Sequence, residues 1–141
     1  MDLQQISDRL EITDVLTRYT RAIDTGEWDK LDTVFTPDAT INYVESGGIE
    51  ATYAEVKPWL AEMLPAFFPV RMHTLGQLDI AVDGDTATCS AYFHNPMPAP
   101  DGQGGEKIVE IGGIYHHTLV RTADGWRSRN LHEQVCWKRG M

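Results

Sequence analysis

The spacing of apolar residues changes near residue 70 of this 141-residue chain, and that change limits the fold more than any other feature. Up to about residue 64, apart from one short alternating stretch, the apolar positions recur every three or four residues, the period of a buried helix face. From Val70 onward they alternate, the period of a strand. Ile12, Val15, Leu16, Tyr19 and Ile23 predict a first helix from near Ser7 to Gly26, where glycine supplies a left-handed exit. Trp28, Leu31 and Phe35 predict a short second helix, stopped by the turn Thr36-Pro37-Asp38. Alternation over Ala39 to Val44 predicts a strand, followed by a turn at Gly47-Gly48. Thr52 and Glu55 have the spacing of a capping box for a third helix, whose buried face would be Val56, Trp59, Leu60 and Met63. Pro58 predicts that this helix starts late or bends, and it is expected to end before Pro65.

The second half reads as four strands: Met72 to Val82, Thr86 to Phe93, Lys107 to Arg121 and Trp126 to Trp137. Turns at Asp83-Gly84-Asp85 and Ala123-Asp124-Gly125 divide them, with a Pro/Gly-rich stretch from Asn95 to Gly105 expected to be a mobile rim loop. Helices followed by an antiparallel sheet make an α+β fold, one domain over residues 1–141, with helices packed on one face of a curved sheet. Because side chains alternate across a strand, Val109, Ile111, Tyr115 and Leu119 place His117 inward and His116 outward. Ala87, Cys89, Ala91 and Phe93 form an inner row whose small members leave space above the sheet. His73 and Leu75 lie on the opposite parity from Leu78, Ile80 and Val82, so a bulge near Gly76 is needed to bring both sets to one face. Tyr19 and Asp24 are five positions apart, about 140° around an ideal helix. They are expected to reach one cavity only if the helix frays near Gly26.

Twelve basic against 21 acidic residues give a formal charge of -9 and a pI near 4.8. Such a chain repels phosphate backbones and anionic lipid, so nucleic acid and membrane surfaces are poor partners and a neutral or apolar small molecule is the expected one. There is no apolar run of about 18 residues, and Met1 to Leu10 is too polar for a signal segment, which predicts a cytoplasmic protein. Cys89 and Cys136 have no CxxC partner and read as reduced thiols. No cofactor and no metal are expected: GxGxxG and GxxxxGK[ST] are missing, Gly102 to Lys107 precedes a strand, and His132-Glu133 lacks the second histidine of HExxH. That leaves Tyr19, Asp24 and His73 as the best candidates for acid and base chemistry.

Tyr19-x4-Asp24, Trp28-Asp29-x-Leu31, the turn after Phe35, Met72-His73, Gly112-Gly113-x-Tyr115 and Asp124-Gly125-Trp126 together carry a resemblance over nearly the full length. The chain resembles the SnoaL-like branch of the nuclear-transport-factor-like superfamily, which includes scytalone dehydratase, bile acid 7α-dehydratase and hexachlorocyclohexane dehydrochlorinase. The resemblance implies a cone-shaped α+β barrel, a curved mixed or antiparallel sheet wrapped around the N-terminal helices and enclosing an apolar pocket. It also implies His73 as a proton-abstracting base, Asp24 as its orienter, Tyr19 and Tyr43 as hydrogen-bond donors, and His117 as an acid at the leaving group. An imidazole suits that role because it titrates near neutrality, and a carboxylate on its other nitrogen fixes the tautomer and stabilises the imidazolium. The implied activity is that of a cofactor-independent, dehydratase-like lyase acting on a bulky apolar cyclic or aromatic substrate. The alternatives are a polyketide cyclase, isomerase or retro-aldol carbon-carbon lyase, and a non-catalytic binding module. A homo-oligomer, dimer or trimer, formed through the sheet's outer face, is also expected.

Overall fold

The computed structural model describes residues 1–141. Asp2 opens the first helix with a reciprocal cap: its carboxylate accepts from the Gln5 N–H, and the Gln5 side chain accepts from the Asp2 N–H, both at 2.8 Å. This cap sets the start of α1 (Leu3–Thr25) four residues earlier than the apolar stripe alone suggests. The stripe Ile12, Val15, Leu16, Tyr19 and Ile23 is buried along it, and Gly26 closes it at φ 71°.

The predicted second helix is a 3₁₀ turn over Trp28–Thr33 in which only Leu31 is buried. Phe35 belongs instead to strand β1 (Phe35–Asn42), and Thr36-Pro37-Asp38 runs within it rather than forming a turn. The strand tolerates Pro37 because its pairing with β6 is interrupted between Phe35 and Thr40, so no ladder bond is demanded there. After a second 3₁₀ turn over Val44–Ser46 comes β2 (Glu50–Thr52), then α2 (Tyr53–Phe67). The Thr52 hydroxyl bonds the Glu55 carboxylate at 3.0 Å rather than a backbone amide, so the capping box does not form. Nor does α2 stop before Pro65. That residue lies in the last turn, and the Phe68 N–H still closes on the Leu64 carbonyl at 2.7 Å.

Strands β3 (Thr74–Asp83), β4 (Thr86–Pro100), β5 (Glu106–Thr122) and β6 (Gly125–Arg139) complete a six-stranded curved sheet in the order β2-β1-β6-β5-β4-β3. Every neighbouring pair is antiparallel except β1 with β6. The sheet is mixed and open, with β2 and β3 as its edges, so the cone does not close into a barrel. The stretch expected to be a mobile loop is mostly strand: β4 pairs with β5 as far as Pro100↔Glu106, leaving only residues 101–105 as the rim. Pairing with β3 ends at His94, and Pro96, Pro98 and Pro100 then take alternate positions where an amide would face no strand.

Three irregularities bend the sheet. Two residues, Gly76 and Gln77, oppose the single Tyr92, which is the bulge that the parity of β3 requires. Between β5 and β6 the register shifts at Gly112/Gly113 and again at Thr118/Leu119. A Cβ on Gly112 would overlap the Trp137 ring and one on Gly113 the Gln134 carbonyl, so this crossing can be made only by glycine. The inner face of the sheet, α1 and α2 share one core of 24 buried residues, with Trp126, Tyr19, Tyr115 and Phe35 as its largest members. At the N-terminal end of α1, buried Asp8 accepts from both Arg121 terminal nitrogens at 2.7 and 3.0 Å and from the Trp126 indole at 3.1 Å. Those bonds, the Arg121 pair foremost, hold its carboxyl well below the usual range.

Candidate active site

At the other end of α1 lies a mainly apolar cavity of about 200 Å³. Trp59, Leu60, Met63 and Phe67 from α2 form one wall, and Met97 and Ile111 from the sheet form another. Among the nearby tryptophans and phenylalanines, Trp59, Phe67 and Phe68 reach the cavity. Trp28 does not. It lies under the Arg71 guanidinium, 5.5 Å from the ring centroid.

His73 immediately precedes β3 and lines the cavity, its ring only 7% exposed. The bulge at Gly76 puts it on the face shared with Leu78 and Ile80. Both oxygens of Asp24 grip it: Oδ2 accepts the His73 backbone N–H at 2.8 Å, and Oδ1 lies 2.5 Å from ring Nδ1. Nε2 has no partner in the protein. The helix is not frayed, contrary to the expectation for Asp24: α1 stays regular to Thr25, and Asp24 sits behind the imidazole rather than in the cavity wall. The strand comes to the helix end instead. Arg71 fastens that approach, with Nε donating to the Ile23 carbonyl at 3.0 Å and a terminal nitrogen to the Phe68 carbonyl at 2.8 Å.

Tyr19 and Tyr43 both line the cavity, and their hydroxyls share a hydrogen bond. Burial raises the pKa of both, so they remain protonated and able to donate. Tyr115 joins them, edge-on to Tyr19 at 5.3 Å between centroids and stacked on Phe93 at 4.1 Å. His117 points inward as its parity predicts, but it lies beyond Tyr19, 5.7 Å between ring centroids, and does not line the cavity. Its Nδ1 meets the Ser128 hydroxyl at 2.8 Å, and burial pushes its pKa down to about 3, leaving it neutral. His116 faces the other way, bonded to Ser90 and Gln134. Its vicinal neighbour therefore cannot share a ligand with it.

Two polar residues of the cavity escaped the sequence reading. Glu133 is 7% exposed and is the direct cross-strand partner of Tyr115; its Oε1 has no hydrogen-bond partner. Burial pushes its pKa up to about 7, although the Ser46 and Tyr115 hydroxyls pull the other way. Asn95 is buried too, with its amide nitrogen on the Met97 sulfur at 3.5 Å and its oxygen unpartnered. Parity carries a signal for both: Asn95 continues the row Ala91, Phe93, and Glu133 shares the face of Leu131. The rim-loop assignment hid the first. The extra residue opposite Thr118/Leu119, which flips the parity of β6 after Ser128, hid the second.

Residues 4–132 match the SnoaL-like domain family. An uncharacterised protein of Mycobacterium tuberculosis is 43% identical over 142 residues, spanning 100% of this chain and 94% of its own. A protein of Gibberella zeae named as a probable cyclase is 29% identical, over 86% of this chain and 87% of its own. Among solved structures, a Kribbella flavida protein superposes with TM-score 0.87 at 24% identity, covering 96% of this chain and 95% of that one. The hexachlorocyclohexane dehydrochlorinase of Novosphingobium barchaimii gives 0.84 at 16% identity, covering 100% and 97%. The fold is thus one on which enzymes convert small molecules, and the chain belongs to the SnoaL-like family.

Proposed function

We propose that this protein is a dehydratase-like lyase that needs no cofactor, with His73 as its base. The observation that carries this reading is the Asp24–His73 pair at 2.5 Å, whose free Nε2 faces an apolar cavity. Asp24 keeps the proton on Nδ1, so Nε2 presents its lone pair to a C–H beside a substrate carbonyl. As that proton leaves, charge builds on the carbonyl oxygen. Tyr19 and Tyr43 are both held protonated, and whichever accepts in their shared bond keeps its own O–H to donate to that oxygen in a site with little water. His117 takes no part in this reading, being outside the cavity wall and neutral.

Cavity size narrows the substrate further. A dry cavity of about 150 Å³ holds one benzene, so about 200 Å³ suits a single ring with short substituents better than a polycycle. The mainly apolar lining suits a largely apolar compound. A second reading, ring closure by aldol chemistry, is favoured by the Gibberella relative named as a probable cyclase, since both reactions begin with the same proton removal.

The test is a panel of one-ring β-hydroxy ketones assayed with wild type and His73→Ala, with thermal melting as a folding control. Loss of about 10³-fold in kcat/KM at an unchanged melting temperature is expected. Equal turnover by both proteins removes His73 as the base.

A further inference from the structure

An elimination that expels a hydroxyl needs more than a base, because hydroxide is a poor leaving group unless it is protonated as it departs. Three observations single out one side chain for that work. Glu133 lines the same cavity as His73. It is more than nine-tenths buried, with Oε1 unpartnered, so the carboxyl has an open valence in the cavity wall. And its burial favours the acid form, outweighing the pull of the Ser46 and Tyr115 hydroxyls toward the carboxylate.

The neighbours of Glu133 come from every element packed around it. Tyr115 lies directly across on β5, Ser46 and Tyr43 come from the segment after β1, and Tyr19 comes from α1, all of them uncharged. Glu45 is the charged group among them, and it adds a second negative charge, although its own carboxylate is occupied by His132 at 2.9 Å and the Val135 N–H at 3.1 Å. A carboxyl in such surroundings keeps its proton to about pH 7. By contrast, the buried imidazole of His117 has lost its proton at neutral pH and stands outside the cavity.

We propose that Glu133 is the general acid of this cavity, protonating the departing hydroxyl of a one-ring β-hydroxy carbonyl compound. The proposal rests on His73 being the base. The step balances without any other reactant. His73 Nε2 takes the proton from the carbon beside the carbonyl, and the electron pair of that C–H bond becomes the new C=C bond. The C–O bond breaks with its pair on oxygen, and the Glu133 proton joins that oxygen to release water. The enzyme is left with an imidazolium and a carboxylate, and a proton passing from His73 to Glu133 through solvent restores both. The requirement for a proton at the leaving group defines the substrate class: a hydroxyl, not a halide.

Two measurements test this. The first is the infrared carboxyl stretch followed across pH 5 to 8, wild type against Glu133→Gln. A protonated-carboxyl band lost near pH 7 and missing from the variant is expected, and an ionised Glu133 throughout that range overturns the proposal. The second compares a one-ring β-hydroxy ketone with the matched β-chloro ketone, whose leaving group is of similar size and needs no proton. Glu133→Gln is expected to lower turnover of the first about 100-fold more than that of the second. Equal losses on both, with wild type active and His73→Ala inactive, overturn the role of Glu133 and leave His73 standing. Full activity of His73→Ala on both compounds, or no wild-type turnover of either, sinks the elimination reading and the acid with it.

Discussion

Helix α1 carries a buried aspartate, Asp8, and a half-buried one, Asp24, about 24 Å apart along its axis, and the two ends are finished in opposite ways. At Asp8 every valence is filled: Arg121 donates twice, Trp126 once and Gln4 once, and Arg121 goes on to the Asp85 carboxylate and the Gly84 carbonyl. At Asp24 both carboxylate oxygens are engaged, each by His73, but the groups beyond it are not. His73 Nε2, Glu133 Oε1 and Asn95 Oδ1, on side chains that line the cavity, have no protein partner. An unmade hydrogen bond in a buried place costs about 1–3 kcal/mol, and although Arg18 Nε, Thr36 Oγ1 and His117 Nε2 are also unpartnered, only at this end do several such groups line one cavity. A filled carboxylate network marks a structural closure, and an unfilled one marks a place prepared for something else.

This contrast can be broken in three ways. Asp24→Asn should lower kcat/KM about 10²- to 10³-fold, because a neutral amide neither fixes the tautomer nor stabilises the imidazolium. Its urea midpoint should hardly move, and a large loss of stability would make Asp24 a second structural closure. Asp8→Ala should do the reverse, lowering stability by about 2–3 kcal/mol by leaving the Trp126 indole and the Arg121 guanidinium without their buried partner. Activity per folded molecule should persist. The third test concerns pH. The unfolded chain releases the Glu133 proton near the ordinary 4.5, and the folded protein near 7. Between those values the folded state binds the extra proton, so stability falls as pH rises through that window and stays lower above it. Glu133→Gln removes the loss, and its unfolding free energy in urea should exceed that of wild type by about 3 kcal/mol at pH 8 and match it at pH 4.

Most of the site was legible because it rests on periodicity. The stripe on α1 placed Tyr19, the opposed parities of His73 and Leu78 demanded the bulge at Gly76, and alternation along β5 turned His117 inward. Where reading failed, a tertiary contact had overruled a local signal. Phe35 and Pro37 look like a helix end only until β6 pairs alongside them. The prolines of β4 look like a loop only until β5 is seen to pair on one side of them and nothing on the other. Glu133 was hidden by a single inserted residue in β6, which a one-strand reading cannot detect because the partner strand defines it. The approach of Arg71 to the Ile23 carbonyl joins residues 48 positions apart and leaves no trace in either segment.

The grip of Asp24 on His73 reaches the main chain as well as the ring. One carboxylate oxygen is committed to a backbone amide, so any change of charge on the imidazole alters the field felt by that N–H. The His73 peptide resonance is therefore a built-in gauge of whether the ring carries its proton, readable by NMR without a label attached or a substrate in hand.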